Sequence, residues 1–193
     1  MAPKKKFTKE QIINAAFEIA KEEGISKITI RKVADQLGSS IAPIYVNFKD
    51  IDELIQEVIK KVVELGNQVV SEQDSGRPLH DSGVASLCFA REYSILFREF
   101  VMGQNEYMRD YEKNMNPNLF DRMKEDSELQ GFTEEELKAI LFKMRVFTTG
   151  LAVMVANGLL PEKFTEESVI ELLDHTANDI ITSARLSQQE LLD

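Results

Sequence analysis

Hydrophobic positions along this chain recur at intervals of three and four residues, the period of an α-helix that buries one face. No segment alternates between apolar and polar residues at period two, and no internal repeat is present. The pattern therefore predicts an all-α protein. The predicted helices cover residues 8–24, 30–37, 41–48, 50–71, 84–101, 105–115, 119–129, 133–157 and 165–184.

Local capping signals mark where several of these helices begin. Thr8 with Gln11, and Thr133 with Glu136, have the spacing of a capping box, in which each residue's side chain bonds the other's backbone N–H. A glycine-, proline- and serine-containing segment at 71–83 is expected to be a loop. The predicted boundaries follow from these signals and not from the hydrophobic period alone.

Residues 29–48 predict two short helices joined by a tight turn. Thr29 can cap the first helix, and Gly38 can adopt the positive φ that ends it. Ser40 is the expected cap of the second helix, and Pro43 falls in its first turn, where a missing N–H costs little. Two helices joined in this way form a helix-turn-helix, although an ordinary αα-corner has the same local pattern.

The second helix of this pair has one apolar face directed inward. Ile44 and Phe48 are four residues apart and define that face. The remaining side chains are then expected to face whatever the helix contacts: Ser40, Ala42, Pro43, Tyr45, Val46 and Asn47.

Charge is distributed unevenly between the first 50 residues and the rest. Residues 1–50 contain nine Lys/Arg against six Asp/Glu, whereas the remaining residues contain 14 against 27, within a net charge of −10. An acidic chain with a basic N-terminal quarter indicates one surface that faces phosphate and one that does not.

The segment from Phe7 to about Leu54 resembles the N-terminal domain of the TetR family of bacterial transcriptional regulators. The phrases GISKITIRKVADQLG, IYVNF and KDIDEL follow the family's order of helices, with departures at Ser39 and Ile51. The resemblance implies a three-helix DNA-binding domain at 1–50 and a larger helical ligand-binding and dimerisation domain at 51–193.

The resemblance also implies how the N-terminal domain would contact a double-stranded DNA operator. Ser40, Tyr45 and Lys49 are expected at phosphates, and Thr29 and Arg31 beside them. The residues expected near base edges are Ala42, Pro43, Val46 and Asn47.

In the family, two C-terminal helices pair with their copies from a second subunit. Here the last helix presents an apolar face that we expect at a homodimer interface, and a thick monomeric core is the alternative interpretation. The residues of this face are Val169, Leu173, Thr176 and Ile180.

Aromatic and methionine side chains of the C-terminal part are candidates for an adaptable pocket. The expected effector is a small apolar or amphipathic molecule, and the resemblance to the TetR family implies that it releases the operator by moving the helix at 50–71. The alternatives are an ordinary core and a DNA-binding dimer without a switch. The candidate lining residues are Phe89, Tyr93, Phe97, Phe100, Tyr107, Met108, Tyr111, Met123, Phe147 and Met154.

An enzyme is the rival class of function, and the sequence lacks its usual parts. His80, His175 and Cys88 are not spaced as metal ligands, and no glycine-rich phosphate loop or nucleophile motif is present. We therefore expect no catalytic residue, metal or cofactor. A lone cysteine, no signal peptide and no apolar run of membrane-spanning length predict a cytoplasmic protein that does not enter a membrane.

Overall fold

The computed structural model describes residues 7–102 and 118–190, and every regular element in these ranges is a helix. The all-α prediction is confirmed. Two short 3₁₀ turns occur at Ile25–Lys27 and Ser127–Leu129. The α-helices are α1 (Lys9–Glu23), α2 (Ile30–Gln36), α3 (Ala42–Asn47), α4 (Ile51–Ser71), α5 (Pro78–Glu92), α6 (Ser94–Met102), α7 (Leu119–Glu125), α8 (Glu134–Ala156) and α9 (Glu166–Glu190).

The contacts among these helices divide the chain into two compact units. Of the described residues, unit 1 contains 7–65 and 95–102, and unit 2 contains 66–94 and 118–190. The sequence placed one boundary after residue 50. Unit 1 extends beyond that point because the first turns of α4 and most of α6 pack with the N-terminal helices.

The core of unit 1 forms where the apolar faces of its helices meet. The capping box at α1 is present, since the Gln11 N–H donates to Thr8 Oγ1 at 3.2 Å and the Thr8 N–H donates to Gln11 Oε1 at 3.0 Å. Lys9 lies 3.7 Å from a Glu53 oxygen and 3.6 Å from a Glu57 oxygen, so α1 and α4 are also joined by ion pairs. The buried residues include Ile12, Ala16, Ala20, Ile25, Val33, Ala34, Ile44, Phe48, Leu54, Val58 and Val62.

The predicted start and end of α2 are present, but the predicted start of α3 is not. Thr29 Oγ1 accepts the Lys32 N–H at 3.2 Å, and Gly38 has a φ of +60°. Ser40, however, does not cap α3. The N-cap residue is Ile41, which makes no side-chain capping bond. A capping side chain accepts the N–H of the second or third helical residue. Here the second residue, Pro43, has no N–H, and the N–H of the third, Ile44, already donates to the Ile41 carbonyl at 3.1 Å.

The predicted single helix at 84–101 is two helices. The first begins at Pro78, inside the segment expected to be a loop, because this proline occupies the start of a helix where no N–H is needed. At Tyr93 the backbone leaves the helical region, with φ −121° and ψ 46°, and α6 follows. No glycine or proline marks this break, so the apolar period continues across it.

The core of unit 2 lies between α5, α8 and α9. A Cβ atom on Gly83 would lie 2.6 Å from Leu173 Cδ2, which shows how closely α5 approaches α9. Leu173 and Val169 are 0% and 5% exposed, so they belong to the core of their own chain. The prediction that these two residues face a second subunit is wrong, because α5 already covers them.

One described helix, α8, is long and apolar enough to cross a membrane by length and composition. Core helices of soluble proteins meet the same criterion. Leu137, Ile140, Met144 and Leu151 of this helix are buried in unit 2.

Candidate nucleic-acid interface

The short helix α3 is held by its inward face and is open on the other. Ile44 and Phe48 are 0% and 3% exposed, as the pattern predicted. Ala42, Tyr45 and Val46 are on the exposed side, with Tyr45 at 56% and Val46 at 84%. The helix therefore presents most of its predicted contact residues to solvent.

Two basic side chains next to this helix are available for an anion. Arg31, at the start of α2, and Lys49, just after α3, are exposed, and within the described ranges neither side chain makes an ion pair. Lys32, in contrast, bonds Glu23 at 2.5 Å. Ser40 is exposed as well, and its carbonyl accepts a hydrogen bond from Ser39 Oγ at 2.9 Å.

Asn47 is bound inside the domain, unlike the other predicted contact residues. Its Nδ2 donates to the Pro43 carbonyl at 2.8 Å and to the Phe7 carbonyl at 3.4 Å. Asn47 and Pro43 are both half-buried. The amide therefore ties the end of α3 to its first turn and to Phe7, two residues before α1 begins. The bond to Pro43 is an i to i−4 contact, which the sequence could have suggested.

Sequence reasoning missed Ile41, which stands one residue before α3. This side chain is 47% exposed, unusually so for an isoleucine at the entrance of a helix. Its spacing of four residues from Tyr45 was the available signal, since the two positions share a helical face.

Glu99, on α6, binds the turn that follows α1. The Ile25 N–H donates to Glu99 Oε2 at 2.5 Å, and the Ser26 N–H lies 3.5 Å from Oε1. Gly24 has a φ of +104°, and a Cβ atom there would lie 2.6 Å from the Glu99 carboxylate. A side chain at this position would therefore displace the carboxylate. The contact joins α6 to the N-terminal helices of unit 1, and no local sequence pattern predicts it.

The predicted pocket residues that the structure describes are divided between the two units. Phe97 and Phe100 belong to unit 1, whereas the other described candidates belong to unit 2. Phe89, Phe97, Phe100 and Met123 are buried, Tyr93 and Phe147 are half-buried, and Met154 is 38% exposed. Tyr107, Met108 and Tyr111 lie outside the described residues.

Unit 2 contains a different cavity of about 260 Å³, and none of the predicted lining residues forms its walls. At its edge Arg91 forms an ion pair with Glu166, and this hydrogen bond keeps the pKa of Glu166 below its ordinary value. Burial raises the pKa of the Cys88 thiol, which is another wall residue. The apolar walls are Val84, Leu87, Val155, Leu160, Phe164, Val169 and Ile170.

A second exposed surface lies on α8 and α9. Phe142 and Val146, one turn apart on α8, are 67% and 61% exposed. On α9, Leu172 is 36% exposed, and Thr176 and Ile180 are half-exposed. We refer to these five residues together as the apolar stripe, and large apolar side chains at such exposure are typical of a surface that another chain covers.

Comparison with known proteins finds one family model that the N-terminal helices match. Residues 12–58 match the sequence model of the bacterial regulatory proteins of the tetR family. These residues include all of α2 and α3. Among curated proteins, none matches this sequence.

Solved structures match the whole fold at low sequence identity. A transcriptional regulator from Rhodococcus sp. Rha1 has a TM-score of 0.66 and 18% identity, covering 92% of this chain and 97% of its own. A proposed transcriptional regulator from Pseudomonas aeruginosa PAO1 has a TM-score of 0.68 and 17% identity, covering 91% of each chain. A TetR/AcrR family regulator from Thermobifida fusca YX-ER1 has a TM-score of 0.54 and 17% identity, covering 90% of this chain and 96% of its own.

The comparisons also bear on the enzyme alternative. These proteins are transcriptional regulators and not enzymes, which agrees with the prediction of a non-catalytic chain. His80, one of the few residues suited to catalysis, lies with its Nδ1 2.6 Å from Asp174 and 3.0 Å from Arg77. These contacts fasten the start of α5 to α9 within unit 2.

Proposed function

We propose that this chain, whose N-terminal domain belongs to the TetR family of bacterial regulatory proteins, is a cytoplasmic homodimeric repressor. It binds a two-fold DNA operator and releases it when a small apolar or amphipathic ligand binds. The observation that carries the proposal is the family match over a helix-turn-helix whose outer face is exposed.

Binding to DNA is supported by the side chains around α3. Arg31 and Lys49 are exposed and available for phosphate, and Tyr45 and Ser40 can donate hydrogen bonds from hydroxyl groups. In this arrangement α3 enters the major groove, while the two basic side chains hold the backbone on either side. The acidic remainder of the chain faces away from the duplex, since it would be repelled by phosphate.

Dimerisation is supported by the apolar stripe of α8 and α9. One recognition helix reads few base pairs, so a second copy is needed to select an operator. Phe142, Val146 and Leu172 supply apolar surface that remains in water in the single chain. We propose that the same stripe of a second copy covers it, and that Thr176 and Ile180 lie at its edge.

A charge placed in the stripe tests this interface. Val146→Glu is expected to convert the dimer to a monomer, because the carboxylate would lose its water on association. Leu159→Glu is a matched control, since Leu159 has the same 61% exposure but lies in the loop after α8. Sedimentation analysis of the two variants should show a monomer for the first and a dimer for the second. If both variants were dimers, or both were monomers, the assignment of the interface to the apolar stripe would be contradicted.

The effector site is proposed at the cavity of unit 2. Its walls are apolar, and the Arg91–Glu166 pair at the edge offers polar atoms for one end of an amphipathic molecule. A ligand can release DNA only if it binds the DNA-free form more tightly, and reciprocity requires DNA to weaken the ligand by the same factor.

Calorimetric titration with a panel of medium-chain fatty acids and aromatic carboxylates tests the effector site. The compound of this panel that binds should have a lower affinity for the protein when a selected operator is present. Leu160→Trp should abolish binding of this compound by filling the cavity. Equal affinity with and without operator would instead support a DNA-binding dimer without a switch. Binding that is unchanged in Leu160→Trp would place the effector elsewhere.

A further inference from the structure

The outer face of α3 is almost entirely apolar. Ile41 and Val46 are 47% and 84% exposed, and Ala42 between them is exposed as well. The segment from Ser39 to Phe48 contains no charged residue. Exposed branched aliphatic side chains are unusual on a short surface helix, and here they lie on the side that the proposed function turns toward DNA.

The usual hydrogen-bonding readers of bases are missing from this face. Guanine is read by Arg or Lys and adenine by Asn or Gln, each through two hydrogen bonds. Asn47 is the one residue of these types within α3, and its amide is already bound to the Pro43 and Phe7 carbonyls. Tyr45 can donate through its hydroxyl, but it cannot make such a bidentate contact.

The major groove offers one apolar group, the C5-methyl group of thymine. An aliphatic side chain that contacts this methyl group buries apolar surface on both partners. Val46 and Ala42, directed into the groove, match it in size and chemistry. Arg31, at the start of α2, and Lys49, just after α3, are exposed cations without an ion pair within the described residues, which favours a polyanion over a protein as the occupant of this surface.

We propose that α3 selects its operator through thymine methyl groups, with Val46 as the principal specificity-determining residue and Ala42 and Ile41 beside it. The inference rests on the proposed function and adds the chemistry of its readout. The operator half-site then contains thymine at the positions facing these side chains, and 5-methylcytosine replaces thymine there better than cytosine does.

Removal of single methyl groups from the DNA tests the inference. An operator is first obtained by selection from random duplexes, and each thymine is then replaced by deoxyuridine, which keeps every hydrogen bond and lacks only the methyl group. We expect one or two positions in each half-site at which affinity falls about threefold to fivefold, the effect of exposing one buried methyl group. Val46→Ala should weaken binding to the parent operator by a similar factor.

Combining Val46→Ala with each deoxyuridine substitution identifies the thymine methyl group that Val46 contacts. Val46→Ala should show little further loss at one deoxyuridine position, since both changes remove the same contact. Lys49→Ala is the control, and its loss should add to that of every deoxyuridine. Val46 is 84% exposed, so its replacement leaves the core intact, and circular dichroism checks the fold.

The failure of the inference and the failure of the proposed function differ in outcome. Selected operators that tolerate deoxyuridine at every thymine, or additive losses with Val46→Ala throughout, would overturn the methyl readout and leave DNA binding intact. Absence of any enriched duplex would overturn both.

Discussion

Replacement of Glu99 by glutamine is expected to lower the free energy of unfolding by about 1 kcal/mol, and replacement by alanine by about 2–3 kcal/mol. The carboxylate accepts the Ile25 N–H at 2.5 Å, and this bond joins residues 74 apart in the chain. It thus fastens α6 to the turn between α1 and α2, and no other side chain described in unit 1 bonds this N–H.

The magnitude follows from the geometry of the two contacts. A hydrogen bond to a charged group contributes about 1.5–3 kcal/mol, against about 0.5–1.5 kcal/mol for a neutral one. The Ser26 contact, at 3.5 Å, is at the limit of a hydrogen bond and adds little. Glutamine keeps an acceptor oxygen and loses the charge, whereas alanine leaves the N–H of Ile25, a residue only 2% exposed, without an acceptor.

Urea unfolding followed by circular dichroism measures both variants. Glu64→Gln is the control, because it removes the same charge from an exposed position of unit 1. The parent and the control should be equally stable, Glu99→Gln should be less stable than both, and Glu99→Ala should be the least stable. A glutamine variant as stable as the control, or an alanine variant no less stable than the glutamine one, would refute the assignment of this carboxylate as a charged cap.

Three further predictions follow from individual side chains. Asn47→Ala should lower the free energy of unfolding by about 0.5–1.5 kcal/mol, because the bond to the Pro43 carbonyl is lost; a changed ranking of operator variants would contradict this structural role. Partial burial raises the pKa of the Cys88 thiol, so its reaction with a thiol reagent at pH 8 should be slower than that of free cysteine. A rate equal to that of free cysteine would count against this effect of burial. Arg122→Met removes the guanidinium that lies 2.9 Å from the buried Asp81 carboxylate, and it should lower the free energy of unfolding by about 2–4 kcal/mol. The loss is smaller than for a fully buried ion pair because Arg122 is 35% exposed. A variant that unfolds at the same temperature as the parent would contradict this pairing.

Local sequence signals predicted the helix starts well. The caps at Thr8, Thr29 and Thr133 need only neighbouring residues, and each forms the predicted bond. The cap at Ser40 failed for an equally local reason, since Pro43 removes one donor and the Ile41 carbonyl accepts the next N–H. Capping residues therefore have to be read together with the donors that follow them.

Features that depend on distant residues could not be predicted. The apolar pattern of α9 shows that a face is covered, but it does not distinguish α5 of the same chain from a second copy. Val169 and Leu173 proved to be core for this reason. Likewise, the bond from Ile25 to Glu99 has no counterpart in any sequence period.

The most direct test of the account is to determine the DNA selected by the purified chain, together with the number of chains that bind it. Selection from random duplexes, followed by sedimentation of the complex, should give two inverted half-sites occupied by two chains. Salt titration should show affinity falling steeply as phosphate contacts are screened. A single half-site bound by one chain, or no enriched sequence at all, would contradict the proposal of a dimeric operator-binding repressor.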